Sequence, residues 1–345
     1  MPPKPTSDWV SNKTTIEACE RSCADGTSVG ETIESSRTME YHVPVMLAES
    51  IEGLNLRPDG TYVDATFGGG GHSRAIMERL GDGGRLYAFD QDEDALPNAI
   101  DDARFTLLNE NFKYLKSFLR LHGVRQIDGL LADLGVSSHQ FDEGTRGFTF
   151  RTDGTLDLRM DRRQEYSAFD VVNTLPEENL KNILSLYGEL PNAGAMAHAI
   201  ATARKKKDIE TTFELRDAVQ RHLPRQQENK FLAMLFQAVR IEVNGELEAL
   251  KDLLKQASEI LKPGGRLVVI SYHSLEDRLV KNFMKTGNFE GELKKDFYGN
   301  PLVPFKVVSR KAVTPSADEL ERNNRSRSAK LRIAEKISQE KENID

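Results

Sequence analysis

Cysteine is scarce: of 345 residues only Cys19 and Cys23 carry a thiol, and both sit in a polar leader. A lone C-x-x-x-C with no further cysteine and no nearby histidine cannot complete a tetrahedral zinc site, so none is expected there and a reducing cytoplasm is the expected compartment. Long apolar runs are missing as well. No stretch approaches the length that spans a bilayer, and the first residues lack a basic start followed by an apolar run, which argues against membrane insertion and secretion. Nor is there an excess of positive charge: the formal net charge is −7, which speaks against nonspecific nucleic-acid binding by the chain as a whole. The seven histidines are scattered without ligand spacing, so no catalytic metal is expected.

What is present is long enough for one large domain with an insertion, or for two domains. The most telling stretch is Tyr62-Val63-Asp64-Ala65-Thr66-Phe67-Gly68-Gly69-Gly70-Gly71-His72, a buried strand, a glycine turn and the opening of a helix. A second strand, Arg85-Leu86-Tyr87-Ala88-Phe89, follows and ends in Asp90. Glycines let a backbone turn sharply and approach a ligand closely, and a carboxylate at a strand tip can accept both hydroxyls of a ribose. Such a half-fold suits a dinucleotide or S-adenosylmethionine. A dinucleotide site places G-x-G-x-x-G directly at the strand end, aimed at a pyrophosphate. Here Asp64 comes first and the glycines crowd together, which suits a ligand that is cationic at sulfur and at its amino group.

Strand signals run Thr61–Ala65, Arg85–Phe89, Phe105–Leu108 and Ile127–Ala132, with helical stretches between them, including Lys113–His122. That alternation predicts a parallel doubly wound sheet with ligands at the carboxyl ends of its strands. From about Phe141 to Phe236 the pattern is loop and helix only, with helices expected over Glu177–Tyr187, Ala193–Lys205 and Thr212–His222. A single long helix over Phe231–Leu261 and the turn Lys262-Pro263-Gly264-Gly265 then lead into a fifth strand, Gly265–Tyr272. Phe305–Ser309 and Leu331–Ile337 are candidates for a last strand pair at the sheet edge. The expected organisation is therefore a disordered leader (1–38), a first part of the catalytic domain (39–140), a helical insertion (141–236) and a second part with the C-terminal tail (237–345). Met39, just before the first segment with folding character, is the expected biological start.

Asp133 ends the apolar run Gly129-Leu130-Leu131-Ala132, so strand ends one, two and four each present a carboxylate, Asp64, Asp90 and Asp133, to one crevice. Mutual repulsion makes that costly without a cationic or hydroxyl-rich ligand. Ser271-Tyr272-His273-Ser274-Leu275-Glu276-Asp277-Arg278 follows the fifth strand; Ser274 reads as a helix N-cap with Asp277 completing a capping-box-like turn, and Tyr272 and His273 as groups that stack on a base or orient its amine. Gly144-Thr145-Arg146-Gly147-Phe148-Thr149-Phe150 suits a loop that grips phosphates and stacks on bases, or equally an anchor for the insertion's core. Three basic clusters, Arg204–Lys207, Arg159 with Arg162 and Arg163, and Arg322, Arg325, Arg327, Lys330 and Arg332, reach RNA only if they converge in space.

These segments, together with His42-Val43-Pro44-Val45, Leu134-Gly135-Val136-Ser137-Ser138, Leu156-Asp157-Leu158-Arg159-Met160-Asp161 and Phe236-Gln237-Ala238-Val239-Arg240-Ile241, resemble the RsmH (MraW) family of 16S rRNA cytosine-N4 methyltransferases from about Glu40 to Ala334. The resemblance implies a class I Rossmann-like, S-adenosylmethionine-dependent fold with an inserted helical domain. It also implies methylation of the exocyclic amine of a decoding-centre cytosine in 16S rRNA within the small ribosomal subunit, by a monomer or a homodimer. By motif, Gly70, Gly71 and His72 form the donor loop, Asp90 holds the ribose, Phe112 flanks the adenine, and Asp133 and Gln140 complete the pocket. The catalytic candidates are Asp133, Tyr272 and His273. The chain departs from the family in its leader, in Met234 and Leu235 before Phe236, where many relatives carry a polar or basic pair, and in His139, where a proline is common. A nicotinamide oxidoreductase and a non-catalytic ribosome-assembly factor are the rival readings.

Overall fold

The computed structural model describes residues 44–338; the leader with Cys19 and Cys23, the start at Met39, and His42 with Val43 lie outside the described residues. After α1 (Leu47–Leu54) the first half alternates β1 (Thr61–Asp64), α2 (Gly71–Met77), β2 (Arg85–Phe89), β3 (Phe105–Leu108), α3 (Leu115–Leu121) and β4 (Ile127–Asp133). A short α4 (Ser138–Asp142) opens the helical block of α5 (Ala168–Thr174), α6 (Glu177–Leu186), α7 (Ala193–Ala203), α8 (Thr212–Val219) and α9 (Glu228–Asn244). The chain then returns through α10 (Glu246–Ile260), β5 (Leu261–Ser271), α11 (Ser274–Thr286), β6 (Phe305–Val307), α12 (Ala317–Arg322) and β7 (Lys330–Lys336).

The seven strands form one sheet in the order β3-β2-β1-β4-β5-β7-β6. β1 to β5 are parallel, as the run of strand and helix predicts, while β7 pairs antiparallel with β5 and with β6. The central strands carry long apolar runs: Ile127, Leu130, Leu131 and Ala132 of β4 and Leu267 to Ile270 of β5 are fully buried. Strands covered on both faces carry such continuous runs rather than alternation. The ends of β1 and β4 and the start of α11 therefore come to one edge, where the sheet order reverses around β1 and β4.

Two sequence expectations change in this fold. The single helix expected over Phe231–Leu261 is two, because Gly245 at φ 57° closes α9 and opens α10; only glycine adopts that left-handed conformation without a Cβ penalty. The turn Lys262–Gly265 lies inside β5 as an irregularity: Leu261 pairs with Ile127, and pairing resumes at Arg266 with Gly129. The helical block has its own apolar core, running from Phe148 and Leu156 through Leu184, Met196 and Leu215 to Leu235 and Val243. Leu235 is fully buried and Met234 packs against that core. The apolar pair at 234–235 thus serves packing inside α9, which is why a polar pair is not needed there.

Candidate functional site

The loop between β1 and α2 is built by Asp64. Its Oδ1 accepts from the Thr66 N–H at 3.1 Å and its Oδ2 from the Ser73 hydroxyl at 2.7 Å, which ties the strand end to the first turn of α2 across the glycines. Gly70 takes φ 75°, and a Cβ on Gly71 would stand 2.1 Å from Cγ of Pro44, so neither position tolerates a side chain in this packing. Asp64 is buried to 1% exposure. Both of its oxygens are engaged in holding the loop, so it shapes the crevice from behind, a correction to the expectation that it faces the ligand.

Asp90 stands at the tip of β2, half-buried, accepting from the Gly68 N–H at 2.7 Å and the Asp92 N–H at 2.9 Å. The Asn109 amide donates to the Asp90 carbonyl at 3.0 Å and the Asn111 amide to Gln91 at 2.6 Å, which folds the chain after β3 back to that tip; Phe112, next in the chain, is half-buried and packs against the core that holds Phe89 and Leu115. Asp133 ends β4. Its N–H donates to Thr66 Oγ1 at 2.7 Å, and its Oδ1 accepts from the Tyr272 hydroxyl at 2.7 Å. Strand tips β4 and β5 are thereby joined through their side chains, and Asp133 Oδ2 lies 4.0 Å from Nδ1 of His72. The His72 ring is 6% exposed, with Nε2 at 3.1 Å from the Val45 carbonyl. A carbonyl only accepts, so Nε2 carries the proton and Nδ1 offers a lone pair. Burial pushes the His72 pKa down, against the pull of Asp133.

Burial also raises the three carboxyls, each to about 6. Hydrogen bonds to Ser73 and Thr66 oppose the rise at Asp64, those from the Asp92 and Gly68 N–H groups at Asp90, and His72 and Tyr272 at Asp133. The negative charge of Asp64 adds to the rise at both Asp90 and Asp133. The repulsion expected from the sequence is therefore present, though it is smaller than the cost of desolvation. A cationic ligand in the crevice relieves both.

Gln140 reaches the site indirectly. It is 4% exposed and completes a capping box with Ser137, accepting from the Ser137 N–H at 3.0 Å while its own N–H donates to Ser137 Oγ at 3.1 Å. Its amide donates to Asp92 at 2.7 Å. Arg146, 5% exposed, donates to the same carboxylate oxygen at 2.5 Å, to Asp94 at 3.0 Å and to the carbonyls of Arg159 and Met160. Phe148 lies in the insertion's core and Phe150 packs on Phe236 with ring centroids 5.7 Å apart. Of the two readings of the Arg146–Phe150 segment, the anchor holds, because both terminal nitrogens of the guanidinium donate inside the protein. Asp92 and Arg146 as a pair escaped the sequence reading; the alternating acids Asp90, Asp92 and Asp94 were the available signal.

At the start of α11 the capping frame sits one residue earlier than expected. His273 is the N-cap residue, and Glu276, 3% exposed, accepts from the Tyr272 N–H at 2.9 Å and the His273 N–H at 3.4 Å. Asp277 instead pairs with Arg332 at 2.7 Å and Lys330 at 3.3 Å, and Ser274 donates to Glu189. The His273 ring is turned to Glu276, at 3.1 Å.

The basic clusters separate by the same accounting. Arg204 donates to the Val172 and Leu175 carbonyls at the end of α5, and Lys207 pairs with Glu214. Arg159 and Arg163 pair with Asp157 and Asp161, Arg162 with Asp94, and Arg325 with Asp142. Lys205 and Lys206, both exposed, keep their charge for solvent. Among the described residues two groups bring three potential metal ligands together, Asp94 with His139 and Glu143, and Glu246 with His273 and Glu276. In both an arginine already supplies the cation, Arg162 at Asp94 and Arg240 at Glu246. Among the described residues no helix is long and apolar enough to cross a membrane.

The sequence profile of the MraW methylase family matches residues 39–337. A protein of Flavobacterium johnsoniae is 57% identical over 300 residues, covering 87% of this chain and 99% of its own length. One of Bacteroides fragilis is 59% identical over 296 residues, covering 86% and 97%. Both are named Ribosomal RNA small subunit methyltransferase H.

Proposed function

We propose, from the fact that this chain belongs to the MraW methylase family, that it methylates N4 of a cytosine in the decoding centre of small-subunit (16S) ribosomal RNA, with S-adenosylmethionine as donor. The observation that carries the reading is Asp133: a carboxylate at the carboxyl end of β4 with one oxygen held by Tyr272 and the other 4.0 Å from Nδ1 of His72. Membership of a methylase family removes the ground from the nicotinamide reading, and a non-catalytic assembly factor has no use for such a group.

The residues fit the donor. Left-handed Gly68 and Gly70 bring bare backbone to the crevice, Asp90 stands where a ribose would lie, Phe112 offers a ring beside it, and three carboxyls with raised pKa values favour a cation. When bound, S-adenosylmethionine supplies a methyl group activated by its sulfonium. Cytosine N4 is a poor nucleophile because its lone pair is delocalised into the ring, so alignment contributes most. As N4 gains the methyl it must lose a proton; Asp133 Oδ2 accepts it in this reading, while the Tyr272 hydroxyl steadies the charge on Oδ1. His273, expected from the sequence to orient the base, has its ring turned to Glu276 instead, so orientation falls to Tyr272. The base has to be splayed out of its RNA surroundings to reach this edge, and the helical insertion is the part of the chain that grips the RNA.

The test is transfer of labelled methyl to small ribosomal subunits from cells lacking the gene, followed by nucleoside analysis. Label in N4-methylcytidine is the expected result; label in any other nucleoside overturns the assignment. For the grip, replacing Lys205 and Lys206 with glutamine leaves donor affinity unchanged and makes the log–log salt dependence of RNA binding shallower by roughly 1.4, about 0.7 per contact. A salt slope equal to that of the wild type removes this loop from the interface.

A further inference from the structure

Behind the Tyr272–Asp133 pair, where the insertion rejoins the sheet, three charged side chains and a histidine converge. Arg240, near the end of α9, donates through Nε and Nη2 to both oxygens of Glu246 at 2.8 and 2.9 Å, across the break at Gly245. Both are largely buried. Opposite them, His273 Nε2 lies 3.1 Å from Glu276 Oε1, and the second Glu276 oxygen accepts from the N–H of Tyr272. Glu246, His273 and Glu276 bring their polar atoms within 4.8 Å of one another, so the two pairs are one cluster. Burial by itself raises the Glu276 pKa, but His273, the Tyr272 N–H and Arg240 outweigh it and hold the carboxyl below the ordinary glutamate value.

We infer that this cluster is a positioning device: Glu276 grips the peptide of Tyr272 and so holds the phenol against Asp133, while Arg240 and Glu246 tie that grip to the last helix of the insertion. The inference rests on the proposed role of the Tyr272–Asp133 pair. Burying two carboxylates is expensive, and ion pairs in such places are poor evidence of stability, so their use here points to a geometric purpose. A glutamate that reaches back to the first N–H groups of a helix is otherwise an ordinary cap. The two roles differ in what they couple to. A cap acts on the stability of α11 whatever residue 272 is; a positioning group acts through the Tyr272 hydroxyl and loses its effect when that hydroxyl is gone.

The experiment is a double-mutant cycle on the full chain with small ribosomal subunits as substrate, using Glu276→Gln, Tyr272→Phe and the two combined. The expected result is a fall in kcat of about tenfold for Glu276→Gln, with donor Kd unchanged, and a fall of less than about twofold when the same change is made on Tyr272→Phe. Equal effects in the two backgrounds overturn the inference and leave Glu276 a cap. Should Tyr272→Phe alone keep full kcat, the role of the Tyr272–Asp133 pair falls first, and the positioning role with it. Arg240→Lys, which keeps the charge and loses the two-point contact, repeats the cycle if Glu276→Gln does not fold; additivity there overturns the inference in the same way.

Discussion

Asp133→Asn lowers kcat, read at saturating donor, by about 10²–10³-fold, within the range ascribed to a positioned proton acceptor. The substitution keeps the size of the side chain and an acceptor for the Tyr272 hydroxyl, so the fold at the β4 tip is preserved. What it removes is the negative charge of the carboxylate. The same carboxyl gives the reaction its pH dependence. Burial raises the Asp133 pKa to about 6, and the acceptor works only when ionised. At saturating donor, kcat therefore rises with pH through the Asp133 pKa and levels off above it, and the cationic donor moves that midpoint below the donor-free value of about 6. Saturation with donor matters because Asp64 and Asp90 titrate in the same range and act on the donor loop and the ribose position. A kcat with no acid limb, or an Asp133→Asn enzyme with wild-type turnover, would falsify the role given to this residue.

The second large effect is on stability. Arg146→Met costs about 3–5 kcal/mol, the usual result of removing one partner of a buried ion pair, because Asp92 is left with its charge inside the protein and the Arg159 and Met160 carbonyls lose their donor. Urea unfolding of the full chain measures it. Adding Asp92→Asn to the variant recovers about 1–3 kcal/mol, the cost of the stranded group. A loss under about 1 kcal/mol, typical of exposed pairs, would show that Arg146 is open to solvent and return it to the candidates for phosphate contact.

The sheet was legible because its central strands are apolar on both faces, and a run such as Leu130-Leu131-Ala132 carries that information locally. The positions of Asp90 and Asp133 followed at once, since a polar residue that ends a buried strand has to lie at the sheet's edge. The glycine turn was legible for a similar reason: positive φ at Gly68 and Gly70 is a property of the residue itself. The fate of the charged side chains was not local. Arg146 and Lys205 are alike in a sequence, and what separates them is a carboxylate 54 positions away in the chain in one case and solvent in the other. Asp64 and Asp133 are likewise equivalent as strand-end acids, yet Ser73 and Thr66 take both oxygens of the first, and Tyr272, 139 residues along, takes one oxygen of the second. Sequence thus determined the half-fold, the strand tips and the donor loop, because backbone preference and hydrophobic pattern act over a few residues. Tertiary structure alone decided which acids remain available to a ligand and which bases remain available to RNA, because a buried charge is settled by the partner that packing brings to it.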